Sequence, residues 1–257
     1  MRARFAPIVG MLGLSVAACE PRPTSPVAAG PKPAFQVDFT NETHFRCYTV
    51  SQQTPQPATA VTLSDQFIDF LRPDTLSIDE PLEFCAPTSK NGTAIADTTE
   101  HLTMYGAAEP LDTALSISTE DQFGTRTLTA VGARVLLVPT QKNAEAFPSN
   151  LNHDWCYAVT GPAVGERVSL DDQFGSDTLR VEHPHYFCNP VEKSVVGGET
   201  TGIVEPDVHL TCYDLHGPQR TRAQQAAIQN QFETDTFTVT SWQLLCVPAA
   251  KLGFQPA

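Results

Sequence analysis

The sequence predicts an all-β protein made of tandem repeats, each with about four short strands and stapled by disulfides. One phrase occurs four times along the 257 residues: His-x-x-Cys-Tyr, then Gln-Phe, then Cys-x-Pro-x-x-Lys. The 21 prolines and abundant Thr, Val, Leu and Phe favour strands and turns over helices. Units of about fifty residues bury little core alone, so we expect neighbouring repeats to pack as β-sandwich or barrel-like units.

The chain begins with the features of an export signal. Two arginines precede an apolar run, 5–18, that is too short to span a bilayer as a helix and ends in small residues. The tetrapeptide Val-Ala-Ala-Cys that ends at Cys19 resembles the lipobox of bacterial lipoproteins, in which the signal is removed before the cysteine and the cysteine receives the lipid. The resemblance implies a signal peptide at 1–18 and lipid attachment at Cys19. The alternative is an ordinary cleaved signal with a cysteine nearby.

The cysteine count also favours lipidation of Cys19. Seven cysteines are present, and six of them fall inside the repeats, which leaves Cys19 to be explained in an exported protein. We expect 19–38 to be a lipidated cysteine followed by a proline-rich, extended tether. Glu20, where Asp would favour retention in the inner membrane, is compatible with the outer one. We therefore expect a cell-envelope protein whose membrane contact is the lipid on Cys19.

The joint loss of two cysteines in one repeat predicts how the others pair. We predict the repeats at 39–92, 93–143, 144–195 and 196–257. The second repeat has Met104 and Leu137 where the other three have cysteines, and a disulfide inside each repeat explains why both are lost together. The predicted pairs are Cys47 with Cys85, Cys156 with Cys188, and Cys212 with Cys246. Such bonds require an oxidising compartment, in agreement with an export signal.

The period of the side chains predicts where strands and turns lie. Alternation in the His-x-x-Cys-Tyr segment places His and Tyr on one face of a strand and Cys on the other. Gly124 and Gly175 are typical of hairpin turns. The last strand is expected to end near Pro248, which lacks a backbone donor. The segment 222–231 is locally rich in helix-forming Ala and Gln, whereas its register in the repeat predicts a strand.

The repeated polar residues are candidates for a binding rim, although a structural role explains them better. Asp and Gln beside a turn commonly bond the backbone of that turn, and a repeated His beside Tyr commonly has a structural partner. The candidate rim residues are Asp65, Gln66, Asp121, Gln122, Asp172, Gln173 and Gln231. Zinc would need four ligands, and the sequence offers no second close pair beside each His-x-x-Cys. No nucleophile, phosphate or dinucleotide motif occurs, so we predict no catalytic residue, metal or cofactor.

The phrase resembles an uncharacterised bacterial secreted repeat domain that is commonly found in tandem copies. The resemblance covers 44–251 and departs from the pattern at both cysteine positions of the second repeat. It implies fold and location but no activity. A net charge of −13 with only 16 scattered Lys and Arg argues against nucleic acid.

These features together predict a lipid-anchored envelope binding module whose partner is an envelope protein or glycan. A structural spacer without a ligand is the alternative. An envelope hydrolase that uses Asp65, Asp121 and Asp172 is disfavoured, because active sites rarely repeat within one chain.

Overall fold

The computed structural model describes residues 42–54, 57–70, 75–219 and 223–257, so the predicted signal, Cys19 and the tether lie outside the described residues. The all-β prediction is confirmed, and a short 3₁₀ helix at Ile68–Phe70 accompanies the strands. The strands are β1 (Phe45–Ser51), β2 (Thr59–Ser64), β3 (Leu76–Ile78), β4 (Pro81–Pro87), β5 (Ser89–Lys90), β6 (Leu102–Asp121), β7 (Gly124–Pro139), β8 (Gln141–Lys142), β9 (Asp154–Thr160), β10 (Arg167–Asp172), β11 (Gly175–Pro190), β12 (Glu192–Val195), β13 (Thr200–Thr201), β14 (His209–His216), β15 (Gln224–Gln229) and β16 (Thr234–Pro256). No helix in these ranges is long and apolar enough to cross a membrane.

The first and last strands of the four repeats form a closed ring. Within each repeat the two strands pair antiparallel, as β1 with β4, β6 with β7, β9 with β11, and β14 with β16. Each last strand also pairs with the first strand of the next repeat: β4 with β6, β7 with β9, and β11 with β14. The last strand of the fourth repeat, β16, returns to β1 of the first. Every strand of this ring therefore has a partner on both sides, so the repeats share their ladders with their neighbours.

The ring interior contains the disulfides at one level. Three disulfides join Cys47 to Cys85, Cys156 to Cys188 and Cys212 to Cys246, which are the pairs that the second repeat predicts. Each cysteine lies directly opposite its partner in the ladder. Met104 lies opposite Leu137 at the same register and belongs to the same buried cluster as the cysteines. An apolar pair thus fills the place of the missing disulfide.

The strands differ from the expected four short strands in each repeat. In repeats two to four the third and fourth predicted strands are continuous, forming β7, β11 and β16 of 16, 16 and 23 residues. The expectation that the last strand ends near Pro248 is wrong. Beyond Pro248, β16 changes partner and continues along β6, from Ala249 opposite Asp121 to Pro256 opposite Leu115. The ladder with β1 ends at Cys246 and that with β14 ends at Ala249, so β16 continues along β6 after its earlier partners end.

The repeat register, not local propensity, determines the structure of the described part, 223–231, of the segment predicted at 222–231. Residues Gln224–Gln229 form β15, in which Ala226 and Ile228 are buried and their neighbours are more exposed. This two-residue period packs both side chains into an apolar cluster with Phe237 and Val239 of β16. The strand prediction from the register is confirmed, because burial of one face outweighs the helix propensity of Ala and Gln.

Candidate functional site

The Asp-Gln-Phe segments, which we call corners, reach across the ring to the opposite repeat. The Tyr157 hydroxyl of repeat three donates to Asp65 of repeat one over 2.8 Å. The reciprocal bond runs from Tyr48 of repeat one to Asp172 of repeat three, also at 2.8 Å. Repeats two and four are joined in a related way. Tyr213 donates to the corner acid Asp121, whereas Tyr105 donates over 2.6 Å to Glu233, the residue that follows the Asn230-Gln231-Phe232 corner. The repeated tyrosines therefore join opposite repeats through an acid at the corner or next to it.

The corner acids also fix the turn in which they lie. Oδ1 of Asp65 accepts the backbone N–H of Phe67 over 2.8 Å. Asp121, Asp172 and Asn230 each accept the N–H two residues further on, at 2.8, 2.8 and 2.9 Å. This is the side-chain turn that Asp and Asn form readily. This side-chain turn occurs in all four corners, although the fourth uses Asn.

The corner glutamines and the repeated histidines form contacts between neighbouring repeats. The amide of Gln173 donates to Nε2 of His101 over 2.8 Å, and Gln231 donates to His153 over 3.0 Å. Burial lowers the pKa of His153 to about 3, so its imidazole is neutral and can accept. The histidine contacts are therefore built from uncharged rings.

The two other corner glutamines also contact neighbouring repeats, one through a histidine and one through a lysine. Gln122 bonds His44, whose pKa is lowered by burial, and Gln66 accepts from Lys251 of repeat four. Lys251 also lies 4.9 Å from the centre of the Phe67 ring, a cation–π contact. All seven candidate rim residues are thus engaged inside the molecule or at contacts between repeats, and their role as a ligand-binding rim stays a prediction.

A separate cavity of about 190 Å³ opens at the end of the ring where the first strands begin; we call it the axial cavity. Its floor consists of the residues two positions before the first cysteine of each repeat, or before Met104 in repeat two. These are Phe45, Leu102, Asp154 and Leu210. Three are apolar and belong to the buried cluster around the disulfides. Asp154 alone places a carboxyl group on this floor.

Asp154 is a buried acid without a partner. Its side chain is 5% exposed, and Oδ1 has no hydrogen-bond partner among the described residues. Burial raises its pKa to about 7. Taking an ionised carboxyl out of water without a partner is costly, and the raised pKa expresses that cost. No group among the described residues therefore compensates the buried Oδ1 of Asp154.

The rim of the axial cavity adds further carboxyl groups. Glu42, Glu100 and Glu205 line it, and no Lys, Arg or His is among the described residues that do so. Burial raises the pKa of Glu42, and the charges of Glu205 and Glu100 raise it further. Burial likewise raises the pKa of Glu100, with Asp97 and Glu205 adding repulsion against the lowering effect of Thr43. The cavity is therefore negative, and its acids repel each other.

Asn152 holds one of these acids in place. Its side-chain oxygen accepts the backbone N–H groups of Val204 and Glu205 at 2.8 and 2.9 Å, and its amide donates to the Glu205 carbonyl over 2.7 Å. Three bonds from one buried side chain fix the loop that carries Glu205 to the rim. Asn152 occupies the same repeat position as Thr43, Glu100 and Val208, which also line the cavity.

A second acid, Glu83, is half-buried on β4, two residues before Cys85. Its Oε2 has no partner among the described residues, and burial raises its pKa to about 7, with His185 opposing and Asp214 adding to the shift. Nearby, the Nδ1 of His185 lies 2.8 Å from Asp214. Glu83 is not among the residues that line the axial cavity. It is therefore a comparison for Asp154: a less buried acid outside the cavity whose pKa is also raised to about 7.

The axial cavity was not predicted from the sequence, although the sequence contains one indication of it. Aligning the four repeats places Asp154 in register with Phe45, Leu102 and Leu210, so a charged residue interrupts an apolar position once. In the part of the chain that the structure describes, no group of three or more His, Cys, Asp or Glu is placed to hold a metal ion.

The fold and its contacts define a class: an all-β, disulfide-bonded repeat protein in which four repeats share one ring. The chain belongs to the family described as a repeat of unknown function (DUF7450), whose model matches residues 116–248. No curated protein and no solved structure matches the chain.

Proposed function

We propose that the protein is a ligand-binding module of the bacterial cell envelope, anchored by lipid on Cys19, and that its ligand enters the axial cavity. The anchor and the outer-membrane location rest on the lipobox-like sequence before Cys19 and on the tether at 19–38. The binding role rests on Asp154, a buried acid that lines a cavity and whose Oδ1 has no partner among the residues that the structure describes. We propose that the cavity binds its ligand and does not catalyse a reaction. The chemical group that enters the cavity belongs to an envelope protein or a glycan.

The stability cost of Asp154 supports a binding role. Leu102 and Leu210 show that this position accepts leucine in the same ring, and leucine would bury apolar surface without the cost of a charge. Residues that lower the stability of a protein and make no compensating contact are expected at functional sites. Asp154 is such a residue, whereas the corner acids have hydrogen-bond partners.

A structural spacer is the second candidate, and the corner contacts favour it. The repeated Tyr, Asp, Gln and His side chains are used in holding repeats together, as the Tyr157–Asp65 and Gln231–His153 bonds illustrate. A protein that only separates other components would need these contacts and no cavity. The two candidates differ in whether anything occupies the space above Asp154.

Photo-crosslinking in intact cells separates the two functions. A photo-reactive amino acid in place of Leu151, which lines the axial cavity, should crosslink to the ligand. The adduct is detected as a band of lower mobility on a gel or as an increase in the mass of the full-length chain. The same amino acid at exposed Val131 is the control for random capture. The adduct should disappear with Asp154→Leu and persist with Glu83→Leu. A spacer gives no adduct specific to Leu151, and an adduct that survives Asp154→Leu also refutes the proposal.

A further inference from the structure

We propose that the group received by the axial cavity is a primary ammonium on a short alkyl chain, such as a lysine side chain or a small free amine. This inference rests on the proposed binding function and names the chemistry of its ligand. Four features of the cavity carry it: its charge, its single unpaired oxygen, its apolar floor and its size.

The charge of the cavity favours a cation. The acids Asp154, Glu42, Glu100 and Glu205 line it, and no basic side chain among the described residues does. Glu42 and Glu100 repel each other and Glu205, which is unfavourable until a positive group enters. A neutral ligand would leave that repulsion in place. An anion would increase it.

The arrangement of the acids favours an organic cation over a metal ion. The structure places no three acidic, His or Cys side chains close enough to form a metal site within its described residues. Calcium takes six to eight oxygen ligands at about 2.3–2.6 Å, so one buried carboxylate and a wide rim do not suffice. An ammonium needs one close acceptor and tolerates water for its other donors.

The floor distinguishes a primary ammonium from other organic cations. Oδ1 of Asp154 is one unpaired acceptor, which an N–H donor satisfies. A quaternary ammonium has no donor, and a guanidinium realises its advantage only with two parallel bonds. The other floor residues, Phe45, Leu102 and Leu210, offer apolar contact for methylene groups.

The size of the cavity sets the extent of the ligand group. A volume of about 190 Å³ lies below the range of about 300–1,000 Å³ that is typical of pockets for drug-sized molecules. It lies slightly above an engineered cavity of about 150 Å³ that accepts benzene. One alkyl-ammonium group therefore fits, and the remainder of a larger ligand would lie outside the ring end.

Calorimetric titration of the full-length protein in mild detergent at about pH 8 tests the inference, because Asp154 is then mostly ionised. The probes are n-butylammonium, its neutral analogue 1-butanol, and butyltrimethylammonium, which keeps the charge but lacks N–H donors. We expect butylammonium to bind at least about tenfold more tightly than either analogue. Cadaverine and Nα-acetyl-lysine amide then distinguish a free amine from a lysine side chain, according to which binds more tightly.

Two variants at Asp154 and one control locate the binding. Asp154→Asn keeps the shape and an acceptor but removes the charge, so butylammonium should bind at least about tenfold more weakly. Asp154→Leu should abolish binding in a protein that still melts cooperatively. Glu83→Leu removes a comparable acid outside the cavity and should leave the affinity unchanged.

The outcomes separate this inference from the function on which it rests. Equal binding of 1-butanol, unchanged binding in Asp154→Asn, or displacement of butylammonium by a lower concentration of calcium overturns the ammonium assignment. If the adduct at Leu151 still depends on Asp154 in cells, the cavity is a binding site for another chemical class. If no adduct forms and no amine binds, both proposals fail.

Discussion

Two buried acids of this protein, Asp65 and Asp154, are almost equally hidden from water, at 7% and 5% exposure, yet their surroundings differ completely. Asp65 accepts three hydrogen bonds, from Phe67 N–H, Tyr157 hydroxyl and the Asn189 amide. Asp154 Oδ1 has no such bond among the described residues. Burial raises the pKa of both. Burial alone therefore does not distinguish the two acids; their hydrogen-bond partners do.

The repeat pattern makes the same distinction. The Asp65 corner has counterparts at Asp121, Asp172 and Asn230, whereas the counterparts of Asp154 are apolar. Features present in all four repeats hold the ring together, and the feature present once lines the cavity. Exchanging residues between equivalent positions tests this distinction directly.

The largest expected effect concerns a repeated feature, the disulfide of the third repeat. Replacing Cys156 and Cys188 together with Ala should lower the free energy of unfolding by about 4 kcal/mol, because the unfolded chain gains freedom and a small cavity forms. Cys156→Met with Cys188→Leu, which copies Met104 and Leu137, should recover about 1 kcal/mol by filling that cavity. Urea unfolding measures both. Equal losses in the two double variants would contradict the equivalence of the positions.

The second largest loss of stability is expected when the hydrogen bonds of the Asp65 corner are removed. Asp65→Ala leaves the Tyr157 hydroxyl and the Asn189 amide without their buried acceptor, so the free energy of unfolding should fall by about 3 kcal/mol. Exposed Asp69, four residues away, is the matched control, and Asp69→Ala should change stability by less than about 0.5 kcal/mol. Thermal unfolding followed by circular dichroism compares them. Similar stabilities of the two variants would mean that the corner does not hold opposite repeats together.

The sequence predicts what is local to one repeat and misses what joins different repeats. Alternation of side chains places Tyr213 and Cys212 on opposite faces, and the joint loss at Met104 and Leu137 predicts the disulfide pairs. The partner of Tyr157 is 92 residues away, and four similar corners offer four candidate partners with the same chemistry. Patterns within one repeat therefore cannot show which corner Tyr157 contacts. The contact depends on how the four repeats close into a ring.

The candidate site was predictable only in part. The register of the repeats reveals that Asp154 replaces an apolar residue, but it does not reveal a cavity, because the rim combines Glu42, Glu100 and Glu205 from separate loops. Asn152 fixes Glu205 through backbone contacts that no sequence period specifies. Polar exceptions at apolar repeat positions are thus useful signals, whereas the geometry around them requires the fold.

Replacement of Asp154, the acid that occurs in only one repeat, is expected to raise the stability of the protein, by less than the two losses above. The folded-state pKa of Asp154, about 7, lies above its ordinary value of 3.8, so the folded protein binds the proton more tightly than the unfolded chain. Its contribution to the free energy of unfolding therefore falls as pH rises from about 4 to about 7. Asp154→Leu removes this loss and should stabilise the protein by about 2 kcal/mol at about pH 8, with a smaller gain at about pH 5.

Thermal unfolding across this pH range checks the prediction for Asp154. Glu83→Leu should show a dependence on pH of the same sign but smaller size, since the pKa of half-buried Glu83 is raised to about 7 from a higher ordinary value of 4.5. The two variants should therefore change stability in the same direction and differ in ligand binding. Destabilisation by Asp154→Leu at about pH 8 would show that the carboxyl has a partner in the folded protein and would remove the basis for the axial site.

The smallest effect concerns a difference among the corners themselves. Gly124 and Gly175 follow the corner phenylalanine with φ of +101° and +144°, whereas Ile68 and Glu233 occupy this position in the first and fourth repeats without a positive φ. A Cβ at Gly124 meets no atom within 4 Å, so Gly124→Ala tests backbone strain alone and should cost about 1 kcal/mol. Gly253→Ala, in open space without a positive φ, should be neutral within about 0.5 kcal/mol. Urea unfolding compares the two variants. Equal stabilities would mean that the turn at Gly124 adopts, at no cost in free energy, the glycine-free conformation of the first and fourth corners. The two kinds of corner would then be interchangeable.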